Sequence, residues 1–137
     1  MFIAKKEEIL WEIKKINEYL RKCLWMDFVI VQDYGQIEFY GALSQSWNNF
    51  VDSYAIKLVF EGSCFVSTLF DWTIDTSGPS IELCTKEEEN ELTSKYRIES
   101  GNYFFKINVE DFENPPIFIC AKKLTSVILK ENPFPER

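Results

Sequence analysis

Apolar residues recur along residues 4–25 at helical spacing. Ile9, Ile13, Ile16, Leu20 and Cys23 are separated by four, three, four and three positions, with Leu10 and Leu24 widening the stripe. The pattern predicts one amphipathic helix whose apolar face packs on the protein's own sheet. Glu12–Lys15 and Glu18–Lys22 can pair on its outer face, each worth a few tenths of a kcal/mol.

From Phe28 the period changes to two. Phe28–Gln32 and Gln36–Leu43 flank Asp33-Tyr34-Gly35, a short glycine-containing connection that predicts a hairpin. Along the second strand Ile37, Phe39 and Leu43 face one way, Glu38 and Tyr40 the other. The stretch Tyr54–Ile74 places two runs rich in β-branched and aromatic residues on either side of Glu61-Gly62. This predicts a central hairpin, because glycine supplies the positive φ that a tight turn needs. Its second run is apolar on both faces, with Val66, Phe70 and Trp72 on one side and Phe65 and Leu69 on the other. That suits an interior strand.

After the turn cluster at Asp75–Pro79 a short strand is expected over Ile81–Cys84. Thr85 to Ser100 is polar and reads either as a short helix capped by Thr85 or as a solvated loop. Asn102–Val109 then sets Tyr103, Phe105, Ile107 and Val109 on one face. Pro115-Pro116 marks a break, because proline donates no backbone hydrogen bond. Ile117–Ala121 and Leu124–Leu129 read as a last hairpin around Lys122-Lys123, and residues 130–137 as a loose tail. The expected architecture is α+β and a single domain over residues 1–137. In it a helix at about 4–25 packs on a curved antiparallel meander of seven to eight strands within 28–129, curved enough to wrap the helix or to close partly into a barrel.

Composition narrows the function. With 46% apolar and 27% charged residues in 137, the chain can bury about two-thirds of its unfolded surface without a disulfide or metal. Residues 1–26 hold six basic and four acidic groups, a net +2, so the remaining chain carries −9 of the total −7. No basic cluster is present to bind nucleic acid or an anionic membrane surface. Cys23, Cys64, Cys84 and Cys120 are far apart, and three lie in apolar runs. They read as buried thiols, with a disulfide pair or a four-thiolate zinc site as the alternative. Lys14, Lys15 and Glu18 interrupt any leader-like apolar run, and no stretch approaches a membrane span. A cytoplasmic setting is expected, with no cofactor.

There is no histidine, which removes the commonest general base and the usual Ser-His and Cys-His pairs. No phosphate-binding glycine motif is present. No catalytic residue is assigned. Asp71 and Asp75 would sit about 13 Å apart on one strand face, long for an acid/base pair that works at about 5–9.5 Å. A carboxylate-only enzyme is therefore the remote alternative, and Asp75 reads better as a turn residue.

Two segments read as partner-binding. Glu87, Glu88, Glu89 and Glu91 form an acidic face. Trp47, Asn48, Asn49, Phe50 and Asp52 set large aromatics among small polar groups, the composition of an interaction hot spot. The other reading of this second segment is that both rings close one end of the core. The run Trp47-Asn48-Asn49-Phe50-Val51-Asp52-Ser53, leading into Ala55–Phe60, resembles the W-x-x-F-H-D-[AS] opening of small β-rich bacterial toxin-immunity proteins, with Val51 in place of the histidine. The resemblance covers about thirty residues and excludes the N-terminal helix. It implies a protein that neutralises a toxin by covering it, with no catalytic residue to carry over. The acidity suits a basic toxin. A small-ligand domain with an apolar pocket between sheet and helix is the second function considered. Partner identity and oligomeric state stay open.

Overall fold

The computed structural model describes residues 4–23, 25–33, 35–42, 54–98, 101–110 and 116–131. In chain order these form helix α1 (Lys6–Arg21), strands β1 (Asp27–Asp33), β2 (Gln36–Ala42), β3 (Ile56–Glu61), β4 (Phe65–Ser67), β5 (Asp71–Thr73) and β6 (Ile81–Leu83), helix α2 (Lys86–Tyr96), and strands β7 (Tyr103–Ile107), β8 (Ile117–Ala121) and β9 (Lys123–Ile128). All pairing is antiparallel. One sheet runs β5-β1-β2-β3-β9 and the other β4-β8-β7-β6. The α+β class and the N-terminal helix are as expected. The single meander of seven to eight strands is corrected, among the described residues, to nine strands in two sheets without a closed barrel.

The first hairpin forms as predicted, with Asp33 opposite Gln36 and Gly35 at φ 74°. The central hairpin does not. β3 pairs with β2 and β9, whereas β4 pairs with β8 in the other sheet. The two runs are one strand bent through a corner, and β8–β9 is a second bent strand alongside it. Between the Glu61↔Lys123 and Phe65↔Cys120 pairs, residues 62–64 stand against only 121–122. That extra residue is a bulge, and Gly62, at φ 65°, takes the left-handed conformation that bends the strand. The expected last hairpin at Lys122-Lys123 is the facing half of the same corner, where Lys122 N–H donates to Glu61 O at 3.0 Å. The expected run Phe65–Trp72 also breaks. Residues 68–70 carry the chain back to the first sheet, leaving Phe70 88% exposed and Trp72 in the core.

A second seam joins the sheets beyond β5. Ile74 bridges Val109, Glu110 N–H donates to Thr73 O at 3.0 Å, and Asp75 N–H donates to Asn108 O at 3.0 Å. Among the described residues β9, β6 and β4 remain as edge strands, and α1 lies against the first two. Its stripe residues Ile9, Ile13, Ile16, Leu20 and Cys23 are buried as predicted, joined by Tyr19 and Glu12. Leu10 instead points to solvent, and Leu24 lies outside the described residues. The helix ends at Arg21, short of the expected 25, because its last turn tightens. Lys22 N–H donates to Tyr19 O and Cys23 N–H to Leu20 O.

Polar side chains fix α1 in the gap. Asn17 Oδ1 accepts from Ser80 N–H and Ile81 N–H, both at 2.9 Å, and its Nδ2 donates to Ile81 O at 2.8 Å. The carboxamide thus supplies the edge of β6 with the bonds a neighbouring strand would have made. On the other side Tyr19 Oη–H donates to Lys130 O at 2.6 Å and Ser126 Oγ–H donates to Glu12 at 2.5 Å.

Rings fill the space between the sheets. Trp72 stacks on Phe28 at 5.9 Å between centroids and meets Phe39 edge-on at 4.9 Å. Phe39 contacts Phe60 at 5.2 Å, and Phe60 contacts Phe105 of the second sheet at 5.2 Å. Gly41 lies between Phe28 and Ile56 in register. A Cβ there would fall 2.7 Å from Phe28 Cζ and 3.1 Å from Ile56 Cγ2, so glycine leaves room for that ring.

Replacing Asn17 with Leu keeps the helix but strips three hydrogen bonds from β6, where Ile81 is fully buried. The expected loss is about 2–4 kcal/mol in urea unfolding. A loss under about 1 kcal/mol would mean that Asn17 is not what closes the gap.

Candidate functional site

Of the two alternatives for Thr85–Ser100, the structure takes the helix. Thr85 Oγ1 accepts from Glu88 N–H at 3.2 Å, and Glu88 Oε1 accepts from Thr85 N–H at 2.9 Å. This capping box satisfies two orphan donors at the helix start. Glu87, Glu88 and Glu89 crowd that positive end, and Arg97, at φ 53°, closes the other. α2 lies on the outer face of the β4-β8-β7-β6 sheet. Leu92 is its one buried apolar residue, packed in a small cluster with Ile98, Phe104 and Cys120. An ion pair supplements this hold, since Lys106 Nζ on β7 stands 3.0 Å from Glu88 Oε2 and 3.6 Å from Glu82 Oε1.

Between α2 and strands β4 and β8 runs a groove of about 380 Å³. The helix contributes Glu88, Glu91, Leu92, Lys95 and Tyr96, and the opposite wall is Ser67, Pro116 and Phe118. Tyr96 packs on Phe65 at 4.7 Å between centroids, and Lys95 Nζ stands 5.4 Å from the Tyr96 ring. The groove therefore joins an apolar wall to a carboxylate, Glu91, for which no cation partner is found among the described residues.

The acidic residues singled out from sequence thus divide. Glu88 and Glu91 line the groove, Glu89 turns to Lys86 at 3.9 Å, and Glu87 is exposed to solvent. Glu88 is already engaged by the cap and by Lys106, which leaves Glu91 as the available acid. Trp47, Asn48, Asn49, Phe50 and Asp52 lie outside the described residues. Sequence reading missed Lys95, Tyr96, Pro116 and Phe118. The helical residues had a signal, since 88, 91/92 and 95/96 repeat at helical spacing. The strand residues had none until β8 was placed beside β4.

Asp71 is exposed on β5, while Asp75 Oδ1 accepts from Ser77 N–H at 2.9 Å and Ser77 Oγ–H at 2.6 Å. Asp75 is a turn residue, as read. Burial pushes the Cys23 thiol up to about 11 and those of Cys84 and Cys120 up to about 12. All three stay protonated and weakly nucleophilic near neutral pH. Among the described residues no group of three His, Cys, Asp or Glu side chains gathers to hold a metal ion, and no helix is long and apolar enough to cross a membrane. Comparison with protein-family models, curated proteins and solved structures finds no match to this chain.

Burial acts to raise the pKa of Glu88, but the Thr85 N–H and Lys106 outweigh it and hold the carboxyl below its usual value. For Lys106 burial acts to lower the pKa, and Glu88 and Glu82 outweigh it and raise it. The Glu88 contribution is therefore present above the usual glutamate range, about pH 4.3, and is lost as pH falls through the lower folded value. The Lys106 contribution is present below the usual lysine range and is lost only as pH rises beyond it. The protection of the α2 amides, taken relative to their intrinsic exchange rate at each pH, should thus fall selectively on going from about pH 7 to about pH 3. In Lys106→Met the acid-dependent difference should shrink. An equal loss of protection throughout the sheets would count against a local latch.

Proposed function

We propose that this is a protein-binding protein of the bacterial immunity type, working in the cytoplasm, which inhibits a basic toxin by covering it. The observation that carries the reading is the α2 groove, which combines an apolar aromatic wall with an available carboxylate. Aromatic anchors with a polar rim are the usual anatomy of a protein interface. Further support comes from the net −9 beyond residue 26, which steers a basic partner, and from the Trp47–Ser53 resemblance. Cys23 and Cys120 are buried free thiols, and Cys84 is half-buried and Cys64 exposed without a disulfide, which suits a reducing compartment. The Phe28, Phe39, Phe60, Phe105 and Trp72 rings fill the space between the two sheets. The competing reading, an apolar ligand pocket between sheet and helix, is thus left with the recess where α1 meets β9, whose lining includes Glu7, Glu8, Glu12 and Lys123.

The test is binding to the purified product of the neighbouring gene, where a toxin should be encoded. Tyr96→Ala should weaken the complex by about 1–3 kcal/mol while leaving the unfolding midpoint nearly unchanged. Glu91→Lys should slow association and flatten its salt dependence. Affinity indifferent to both changes would remove the groove from the interface.

A further inference from the structure

A second recess lies on the opposite kind of surface, where the first turns of α1 meet β9. It encloses about 380 Å³ over a floor of Ala4, Ile9 and Leu124, all buried. Trp11 stands at its rim, 65% exposed, an unusual position for the largest apolar side chain on a helix whose other face fills the core. Glu7 and Glu8 line the same recess, and neither has a cation partner among the described residues. The remaining charges are occupied. Glu12 accepts from Ser126 and stands 3.4 Å from Lys15, and Lys123 faces Glu61 at 3.9 Å. The indole already attracts one cation, since Lys15 Nζ stands 5.8 Å from its centroid. A recess with an apolar floor, an indole at its rim and two first-turn carboxylates that make no ion pair among the described residues is complementary to a cation on a planar or apolar stem.

We propose that this recess binds an arginine-bearing segment of a protein partner. The guanidinium stacks on Trp11 and pairs with Glu7 or Glu8, while an adjacent apolar side chain of the segment rests on Ile9 and Leu124. Arginine fits better than lysine because its planar fork can stack and bind a carboxylate together. The inference does not rest on the α2 groove, and it holds whether or not that groove binds a toxin.

The test is a titration of the isotope-labelled full chain with acetyl-Arg-Val-Arg-Val-Arg-amide, followed by NMR. The Trp11 indole N–H and the amides of Glu7, Glu8 and Thr125 should move saturably, and the same peptide with glutamate for arginine should leave them still. The pair Glu7→Gln and Glu8→Gln should weaken binding by about tenfold or more. Trp11→Ala, read through Thr125, should do the same, and Tyr96→Ala should leave it unchanged. Raising salt from about 0.01 M to about 0.3 M should weaken it as well. No movement at millimolar peptide would overturn the proposal. So would shifts that survive the Glu7, Glu8 and Trp11 changes, or that follow Tyr96 instead.

Discussion

Two sheets joined at a bent corner leave an edge strand on each side unpaired, and what happens there decides whether the protein is a stable monomer surface or an open template. Among the described residues β6 and β9 are the two such edges that α1 covers. An unpaired edge exposes N–H and C=O groups to any passing strand and costs free energy if it is buried without partners. Here α1 occupies the gap, and Asn17 answers the β6 backbone as a strand would. Burial of the Ile9–Leu20 stripe supplies the attraction, but apolar contact alone has no direction. The Asn17, Tyr19 and Glu12 bonds set the helix at one depth and one rotation. The corner, the ring stack and the placement of β8 beside β4 all presuppose that the gap is filled.

Much of this was legible. The helix and its face, the β1–β2 hairpin, the inward row Tyr103, Phe105, Ile107 and Val109, and the capping residue Thr85 all follow from short-range rules about period and end chemistry. The two hairpins around Gly62 and Lys122-Lys123 were misread for a physical reason. A glycine at positive φ serves a reversing turn and a bulge equally well, and both leave an apolar run on either side. What separates them is the partner across the ladder, β9 for β3 and β8 for β4, roughly sixty residues away in sequence. No local pattern carries that information. The same long-range pairing builds the α2 groove, so half of that site was readable as helical spacing and half was invisible.

The helices differ in how firmly they are held, and this bears on what each can do. Six residues of α1 are buried, and the helix closes the fold. Its outward positions, among them Glu7, Glu8, Trp11 and Lys15, can change without opening the gap. α2 rests on Leu92 and on the bonds of Glu88. Both helices present acid and aromatic groups to solvent, yet only α1 does so from a rigid platform.

That difference has a thermodynamic consequence. A segment held by one buried apolar side chain, one ring contact and a partly exposed ion pair belongs to the less stable part of a fold. Any partner that engages Glu91 and Tyr96 while α2 is docked must stabilise the docked helix by mass action. Affinity at that groove is then the intrinsic contact energy reduced by the fraction of time α2 spends away. The Lys106–Glu88 pair, partly exposed and modest by itself, contributes to the docked state alongside Leu92 and the Tyr96–Phe65 contact, and its glutamate also lines the groove. Lys106 itself is not part of the groove lining, so it supports the groove only through the glutamates it holds.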